Sequence, residues 1–460
     1  MKNKYFGTDG FRGEVNVNLT AEHAYKIGRF LGWYFASPLC KTDKANGRPR
    51  IVIGKDTRRS SYMLEYALCS GIIASGGDAY ILHVTTTPSV SYVVRTEGFD
   101  CGIMITASHN PFYDNGIKVI NRYGEKFDDA ATELIEKYID GNLKSLGVEG
   151  TDLPLAKREE IGAIVDFVSG RNRYIGYLIS LASHSYKNLK IGLDCANGAV
   201  WSIAKAVFDA LGAVTYVVGD TPNGTNINEG CGSTHIENLC RLVREQHLDV
   251  GFAFDGDADR CIAVDEKGNE VDGDKMMYIL AHRLKSRGML KDDTVVATIM
   301  SNSGFVNSLE NSGLKCELTT VGDRFVYERM QQKDYDLGGE QSGHIILKKY
   351  ATTGDGLLTA IMIAEEICDS KKTLSKLAKP VLLYPQFTQN VRVNDKRAIM
   401  TNDAVLQAVK SVEEKINGKG RVLLRESGTE PVVRVMIECE SEAQCRTFAN
   451  SIAQVITENI

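Results

Sequence analysis

One recurring unit limits the architecture of this chain more than any other feature. It is a short β-branched strand, then a polar or glycine-containing loop, then a helical stretch. Arg50–Arg58 precedes the helix-like Tyr62–Ala74, Leu189–Gly198 precedes Val200–Leu211, and Thr294–Gly304 precedes Phe305–Asn311. Strands that alternate with helices need crossover connections, and crossovers build largely parallel sheets. The wide spacing of the copies predicts three related α/β domains and excludes a solenoid of short repeats. After Pro380 the pattern changes: Phe387–Val393 alternates like a strand, and Asp403–Ile416 reads as a helix. Arg421–Arg425 and Val432–Glu438 read as strands, and Ser441–Glu458 as a final helix. The predicted fold class is therefore α/β, with three related mixed-sheet domains over 1–150, 151–260 and 261–380 and a smaller α+β domain over 381–460.

Composition narrows the function. The 460 residues carry 54 Lys+Arg against 59 Asp+Glu, a net charge of −5, which argues against gripping nucleic acid through bulk positive charge. No stretch approaches the ~20 apolar residues of a membrane span, and the N-terminal segment lacks the apolar core of a secretory signal. The expected location is the cytoplasm, with no nucleic-acid or membrane partner. Eleven cysteines without a C-x-x-C pair agree with a reducing compartment, where such residues act as small core hydrophobes.

In open α/β sheets, ligands sit outside the carboxyl ends of the strands, so the loops carry the chemistry. The strongest signal is Asp255-Gly-Asp257-Ala-Asp259 after the apolar run Val250–Phe254. If the strand conformation persists, the three carboxylates point to one side, where they repel unless a cation joins them. All-oxygen ligands favour a hard ion, Mg²⁺ before Ca²⁺ or Mn²⁺. An EF-hand, with Glu266 at its twelfth position, fails because Arg260 stands where glycine is required. A solvated acidic turn is the alternative.

Three further segments stand out. An apolar strand from Gly102 delivers Ser108 and His109 into a loop kept irregular by Pro111 and Gly116. That serine lacks the glycines of a G-x-S-x-G elbow, but beside a bound Mg²⁺ it suits phosphoryl transfer; a capping turn is the plain alternative. In Leu337–His344, the residues Glu340, Ser342 and His344 alternate among glycines, and a carboxylate beside a hydroxyl can bind adjacent sugar hydroxyls, or a hydroxyl and an amine. A glycine-rich hairpin turn is the alternative there. Arg425 and Arg434 frame Ser427-Gly428-Thr429, a candidate anion nest or else a surface turn.

Together with Phe6–Gly13, these motifs occur in an order that resembles the α-D-phosphohexomutase (phosphoglucomutase/phosphomannomutase) superfamily over nearly the whole chain. The resemblance implies the four domains around one central cleft. It implies that Ser108 carries the phosphoryl group and that Asp255, Asp257 and Asp259 bind one Mg²⁺ with an oxygen of that phosphoserine. Arg12, His109, Lys118 and Arg260 resemble the surrounding cationic and proton-handling groups. A general acid or base at Lys118 needs a lowered pKa, which Arg12 and the metal are expected to supply. Glu340, Ser342 and His344 would bind the sugar, and Arg425, Ser427, Gly428, Thr429 and Arg434 the phosphate that is not reacting. Glu426 departs from the more usual residue in that loop and is expected to point away.

Within that resemblance, Gly224–His235, Val321–Val326 and Gln341 look unlike the corresponding segments of relatives that use unaminated hexoses. They imply a small phosphosugar partner, glucosamine 6-phosphate, interconverted with the 1-phosphate. The resemblance further implies a hexosamine 1,6-bisphosphate as intermediate and activator. The alternative is a mutase acting on glucose or mannose phosphates, and a homodimer is left open.

Overall fold

A computed structural model describes residues 4–7, 9–41, 43–427 and 431–459. The first sheet is formed by β1 (Phe6–Gly7), β2 (Gly10–Glu14), β3 (Arg50–Lys55), β4 (Asp78–Val84), β5 (Cys101–Ile105), β6 (Asp114–Asn121) and β7 (Ile164–Asp166). Its order is β1-β2-β6-β5-β3-β4-β7. β3 runs parallel to β4 and β5, whereas β6 returns antiparallel beside β5. Ile51, Ile53, Ile103 and Ile105 face one core with Leu64 and Leu68, and Val52 and Met104 face another with Val90 and Val94. Helices cover both faces, so these strands read as continuous β-branched runs and not as alternating ones.

The second sheet holds β8 (Lys190–Asp194), β9 (Val214–Val218), β10 (Val250–Phe254), β11 (Cys261–Asp265) and β12 (Glu270–Val271) in the order β12-β11-β10-β8-β9. It continues past position 260, because β11 folds back antiparallel on β10; β7 likewise joins the first sheet from beyond position 150. The helix expected over Val200–Leu211 is shorter, Ala204–Ala210. Turns occupy the preceding residues, where Gly198 packs against the Gly256 backbone and Ala199 N–H donates to Gly256 O at 2.8 Å.

The third sheet holds β13 (Thr294–Thr298), β14 (Lys315–Thr319), β15 (Leu337–Gly339) and β16 (Ile345–Leu347), ordered β14-β13-β15-β16. The fourth is a three-stranded antiparallel sheet of β17 (Gln386–Arg392), β18 (Arg421–Glu426) and β19 (Val432–Glu438), with helices Asp403–Ile416 and Glu442–Glu458 closing its core.

Two compact units result. One is Met1–Ile299 with Glu317–Ala378; the other is Met300–Cys316 with Lys379–Ile460. The helix Ser303–Asn311, third member of the repeated pattern, falls in the second unit. Glu438 at the end of β19 accepts from Ser303 N–H at 3.0 Å and from its hydroxyl at 2.6 Å, and Asn302 accepts from Tyr384 N–H. Helix propensity marked the segment, and these long-range bonds decide which body it joins. No described helix is long and apolar enough to cross a membrane, and no disulfide forms among the described cysteines.

Candidate active site

Ser108 follows β5 in a loop that breaks the strand. Its φ is +50°, a left-handed conformation uncommon for a residue with a side chain and one that persists only when the surroundings hold it. The hold is visible. Arg58 donates to the carbonyls of Ser108 at 3.0 Å and Asn110 at 2.8 Å, and Asn228 Nδ2 reaches the same two carbonyls. The Ser108 hydroxyl thereby donates to Asp255 Oδ2 at 2.5 Å and lies 3.3 Å from His109 Nδ1.

Asp255, Asp257 and Asp259 are all buried and present carboxylate oxygens within 4.8 Å of one another. They do not converge as one face of a strand. β10 ends at Phe254, Ala258 N–H closes a turn onto Asp255 O at 3.1 Å, and Ala258 has φ +55°. The strand conformation does not persist: a turn gathers these alternate residues because the chain reverses into β11.

Charge around the loop is unevenly shared. Burial, followed by the Asp259 and Asp257 charges, pushes Asp255 well above the ordinary carboxylate range. Burial also acts to raise Asp259, but Lys118, His344 and Arg260 outweigh it and hold the group well below that range. Thr87 donates to Asp257 Oδ2 at 2.5 Å, while Asp257 Oδ1 and Asp259 Oδ1 are buried without a hydrogen-bond partner among the described residues. Buried polar atoms are rarely left so. Oxygen-only donors, mutual repulsion and two unsatisfied oxygens fit a hard divalent cation such as Mg²⁺.

Lys118, on β6, is buried with Nζ 2.8 Å from Asp257, 3.2 Å from Asp259 and 3.1 Å from Asp9. Without a cation in the aspartate loop, its surroundings favour the charged form. Burial acts downward, but these three carboxylates prevail and raise it well above the ordinary lysine value, against the opposing Arg12. Arg12, on β2, pairs with Asp9. His109 moves the other way: burial first, then Arg260 and Arg12, lower it to about 4, so its ring is neutral at neutral pH. The Arg260 N–H donates to Asp255 Oδ1 at 3.2 Å.

The sugar-loop candidates lie on the turn between β15 and β16. The hairpin and the site are the same object: Glu340 N–H donates to His344 O, and Gly343 N–H to Glu340 O, both at 3.0 Å. Gly343 has φ +88°, and a Cβ there would stand 2.0 Å from Cys261 O, so the turn is fitted against β11 beside the aspartate loop. Ser342 Oγ is 3.5 Å from Glu340 Oε2, and His344 Nδ1 is 3.7 Å from Asp259. Lys118, Asp259 and His344 border one cavity of about 520 Å³ that also touches Asp9, Lys126 and Asp323.

In the second unit, Arg425 and Arg434 face each other across the β18–β19 register. Burial, then Arg434, lowers the Arg425 pKa, and like charges directly opposed on a sheet are unfavourable unless an anion joins them. Ser427 is buried, and its carbonyl accepts from Lys396 at 2.7 Å. Glu426 is exposed at the end of β18, and strand alternation turns it away from its Arg425 and Ser427 neighbours. Gly428 and Thr429 lie outside the described residues.

Sequence reasoning passed over Arg58, Thr87, Asn228, Asp9 and Lys126. Asp9 stands inside the Phe6–Gly13 motif and Asn228 inside Gly224–His235, so a signal existed for both. Arg58 closes the Arg50–Arg58 repeat unit, whereas Thr87 at a helix start and Lys126 in an isolated bridge after β6 carry no pattern of their own.

A strained serine on a cluster of buried carboxylates, beside a cavity where Lys118 and Lys126 stand among further carboxylates, fits the chemistry of phosphoryl transfer. Comparison with known proteins narrows the class. Residues 3–145, 172–268 and 272–383 match the α/β/α domains I, II and III of phosphoglucomutase/phosphomannomutase, and 389–455 match its C-terminal domain. The chain belongs to the phosphoglucomutase/phosphomannomutase family. It is 56% identical to the phosphoglucosamine mutase of Lachnospira eligens over 98% of both chains, and 46% identical to that of Bacillus subtilis, again over 98% of each. Among solved structures it resembles a phosphoglucomutase/phosphomannomutase family protein from Burkholderia thailandensis, with TM-score 0.79 and 21% identity over 100% of this chain and 98% of that one. The Aspergillus fumigatus N-acetylphosphoglucosamine mutase, solved with GlcNAc-6P and magnesium, has TM-score 0.69 and 17% identity over 99% and 95%.

Proposed function

We propose that this chain is a cytoplasmic phosphoglucosamine mutase that interconverts glucosamine 6-phosphate and glucosamine 1-phosphate. The observation that carries the mechanism is the Ser108 hydroxyl held 2.5 Å from Asp255, at the edge of three buried carboxylates. In the phosphorylated enzyme, the anomeric hydroxyl of glucosamine 6-phosphate attacks the phosphorus on Ser108. The bond from phosphorus to Ser108 Oγ breaks as the new one to the sugar oxygen forms. The sugar hydroxyl gives up a proton, and Ser108 regains one. The resulting 1,6-bisphosphate turns end for end and returns its 6-phosphate to Ser108, leaving glucosamine 1-phosphate.

The chain's residues have distinct parts in this. Asp255, Asp257 and Asp259 would hold Mg²⁺, which supplies positive charge to the transferring phosphoryl oxygens. Lys118, against Asp257 and Asp259, and Arg12, against Asp9, hold positive charge within the site. His109, neutral and 3.3 Å from Ser108 Oγ, is the group able to accept or return a proton there. Glu340 and Ser342 orient the sugar, and Arg425 and Arg434 with Ser427 take the distal phosphate from either end, since planar guanidinium forks suit it.

Offering glucosamine, glucose and mannose 6-phosphates side by side tests the reading. The highest kcat/KM should belong to the amino sugar; a preference for either neutral hexose would assign the enzyme to the alternative substrate class.

A further inference from the structure

We propose that Asp323 is the residue that distinguishes the 2-amino group of the substrate from a hydroxyl, an inference that rests on the amino-sugar reading above. Asp323 opens the helix Asp323–Lys333, where a negative side chain is favourably placed against the helix dipole. It lies within Val321–Val326, one of the segments on which the resemblance to an amino-sugar enzyme rests. Its carboxylate reaches the cavity that holds Lys118, Asp259 and His344.

The geometry ties Asp323 to the sugar loop. Gly322 N–H donates to Glu340 Oε1 at 3.1 Å, so the peptide preceding Asp323 is fastened to the carboxylate assigned to the ring hydroxyls. Asp323 Oδ2 is 3.6 Å from His344 Nε2 on the other arm of the same turn. Asp323 thus lines the cavity beside His344, with its preceding peptide tied to Glu340. When Glu340 takes neighbouring ring hydroxyls, the next substituent round the ring meets Asp323. On glucosamine that substituent is an ammonium group.

The pocket already accommodates such a group. Lys126 Nζ lies 2.7 Å from Asp323 Oδ1 and 3.4 Å from Asp9 Oδ1, a primary ammonium bridging two carboxylates at the cavity wall. A substrate ammonium is the same chemical species. It can share Asp323 while Lys126 keeps Asp9. A neutral hydroxyl offers the carboxylate a weaker hydrogen bond and no charge, and charge-assisted bonds are roughly twice as strong as neutral ones.

A purely structural role for Asp323, pairing with Lys126, would lower turnover of every sugar alike. The test is therefore a ratio: kcat/KM for glucosamine 6-phosphate over that for glucose 6-phosphate, in the full chain with Mg²⁺, alongside thermal melting. In Asp323→Asn and Asp323→Ser the ratio should fall by about 10- to 100-fold, chiefly through KM for the amino sugar. Lys126→Met removes the competing ammonium and should raise the same ratio. That rise, or its absence, decides the question if neither Asp323 variant folds. Ratios within about 3-fold of wild type (under ~0.7 kcal/mol) in the folded variants would overturn the assignment. If wild type itself shows no preference for the amine, the amino-sugar reading fails first, an outcome distinct from a wild-type preference that survives the loss of Asp323.

Discussion

Replacing Gly256 with alanine should separate the serine from the aspartate loop. Gly256 does not use a left-handed φ, so its reason for being glycine is space. A Cβ at this position would stand 2.5 Å from Ser108 O, 2.9 Å from Ile227 Cδ1 and 3.1 Å from Asn228 Nδ2. The Ile227 methyl can swing aside, but Ser108 O and Asn228 do not yield easily, because Asn228 is itself bonded to Ser108 O and Asn110 O. A tolerable contact needs a displacement of about 0.5–0.9 Å, and forcing a methyl into packed surroundings costs ~1–3 kcal/mol. The same displacement stretches the 2.5 Å contact between Ser108 and Asp255 beyond the ~3.0 Å limit of an O–H···O bond. Misplacement of reacting groups by about 1 Å can cost ~100-fold in rate, so kcat should fall by roughly 10- to 100-fold. Gly176→Ala is the matched control: it lies mid-helix with nothing near its Cβ. It should keep kcat and gain ~0.5–1 kcal/mol of stability. The measurement is kcat with glucosamine 6-phosphate together with a melting curve. Wild-type kcat in folded Gly256→Ala would refute the claim that backbone contact sets the distance between serine and aspartates.

Intact-mass analysis should find a single adduct of about 80 Da, the mass of one phosphoryl group, that Ser108→Ala abolishes along with turnover; normal activity in that variant would remove Ser108 from the mechanism. Asp257→Ala should lose Mg²⁺-dependent turnover yet still fold, since the carboxylate repulsion it relieves offsets part of the lost Lys118 and Thr87 contacts, and full wild-type activity in excess EDTA would discard the cation. Lys55→Met addresses stability: Lys55 and Glu65 form an ion pair with both side chains almost fully buried. Leaving Glu65 uncompensated should cost ~3–5 kcal/mol in denaturant unfolding, a loss that Lys55→Met with Glu65→Gln should partly restore. An unchanged midpoint in Lys55→Met would show that the pair contributes nothing.

Much of this protein was legible from local pattern. β-Branched runs such as Arg50–Lys55 and Val250–Phe254 became strands, and the C-terminal alternation gave β17, β18 and β19 nearly to the residue. Hydrophobic periodicity and turn residues act over a few positions and so are written in consecutive letters. The chemistry-bearing residues were legible for a related reason: three aspartates within five positions, or a serine after an apolar strand, are unusual enough to be noticed alone. Tertiary structure decided what those residues experience. Lys118 is surrounded by Asp9, Asp257 and Asp259, which no spacing in the sequence shows. The aspartates converge through a turn held by Ala258 and not through a strand. Arg58, Asn228 and Asp323 acquire their roles from partners as distant in sequence as Ser108 from Asn228 or Lys126 from Asp323. Electrostatic environment and close packing depend on distance in space, and the order of residues along the chain does not contain that distance until the sheets have brought the loops together.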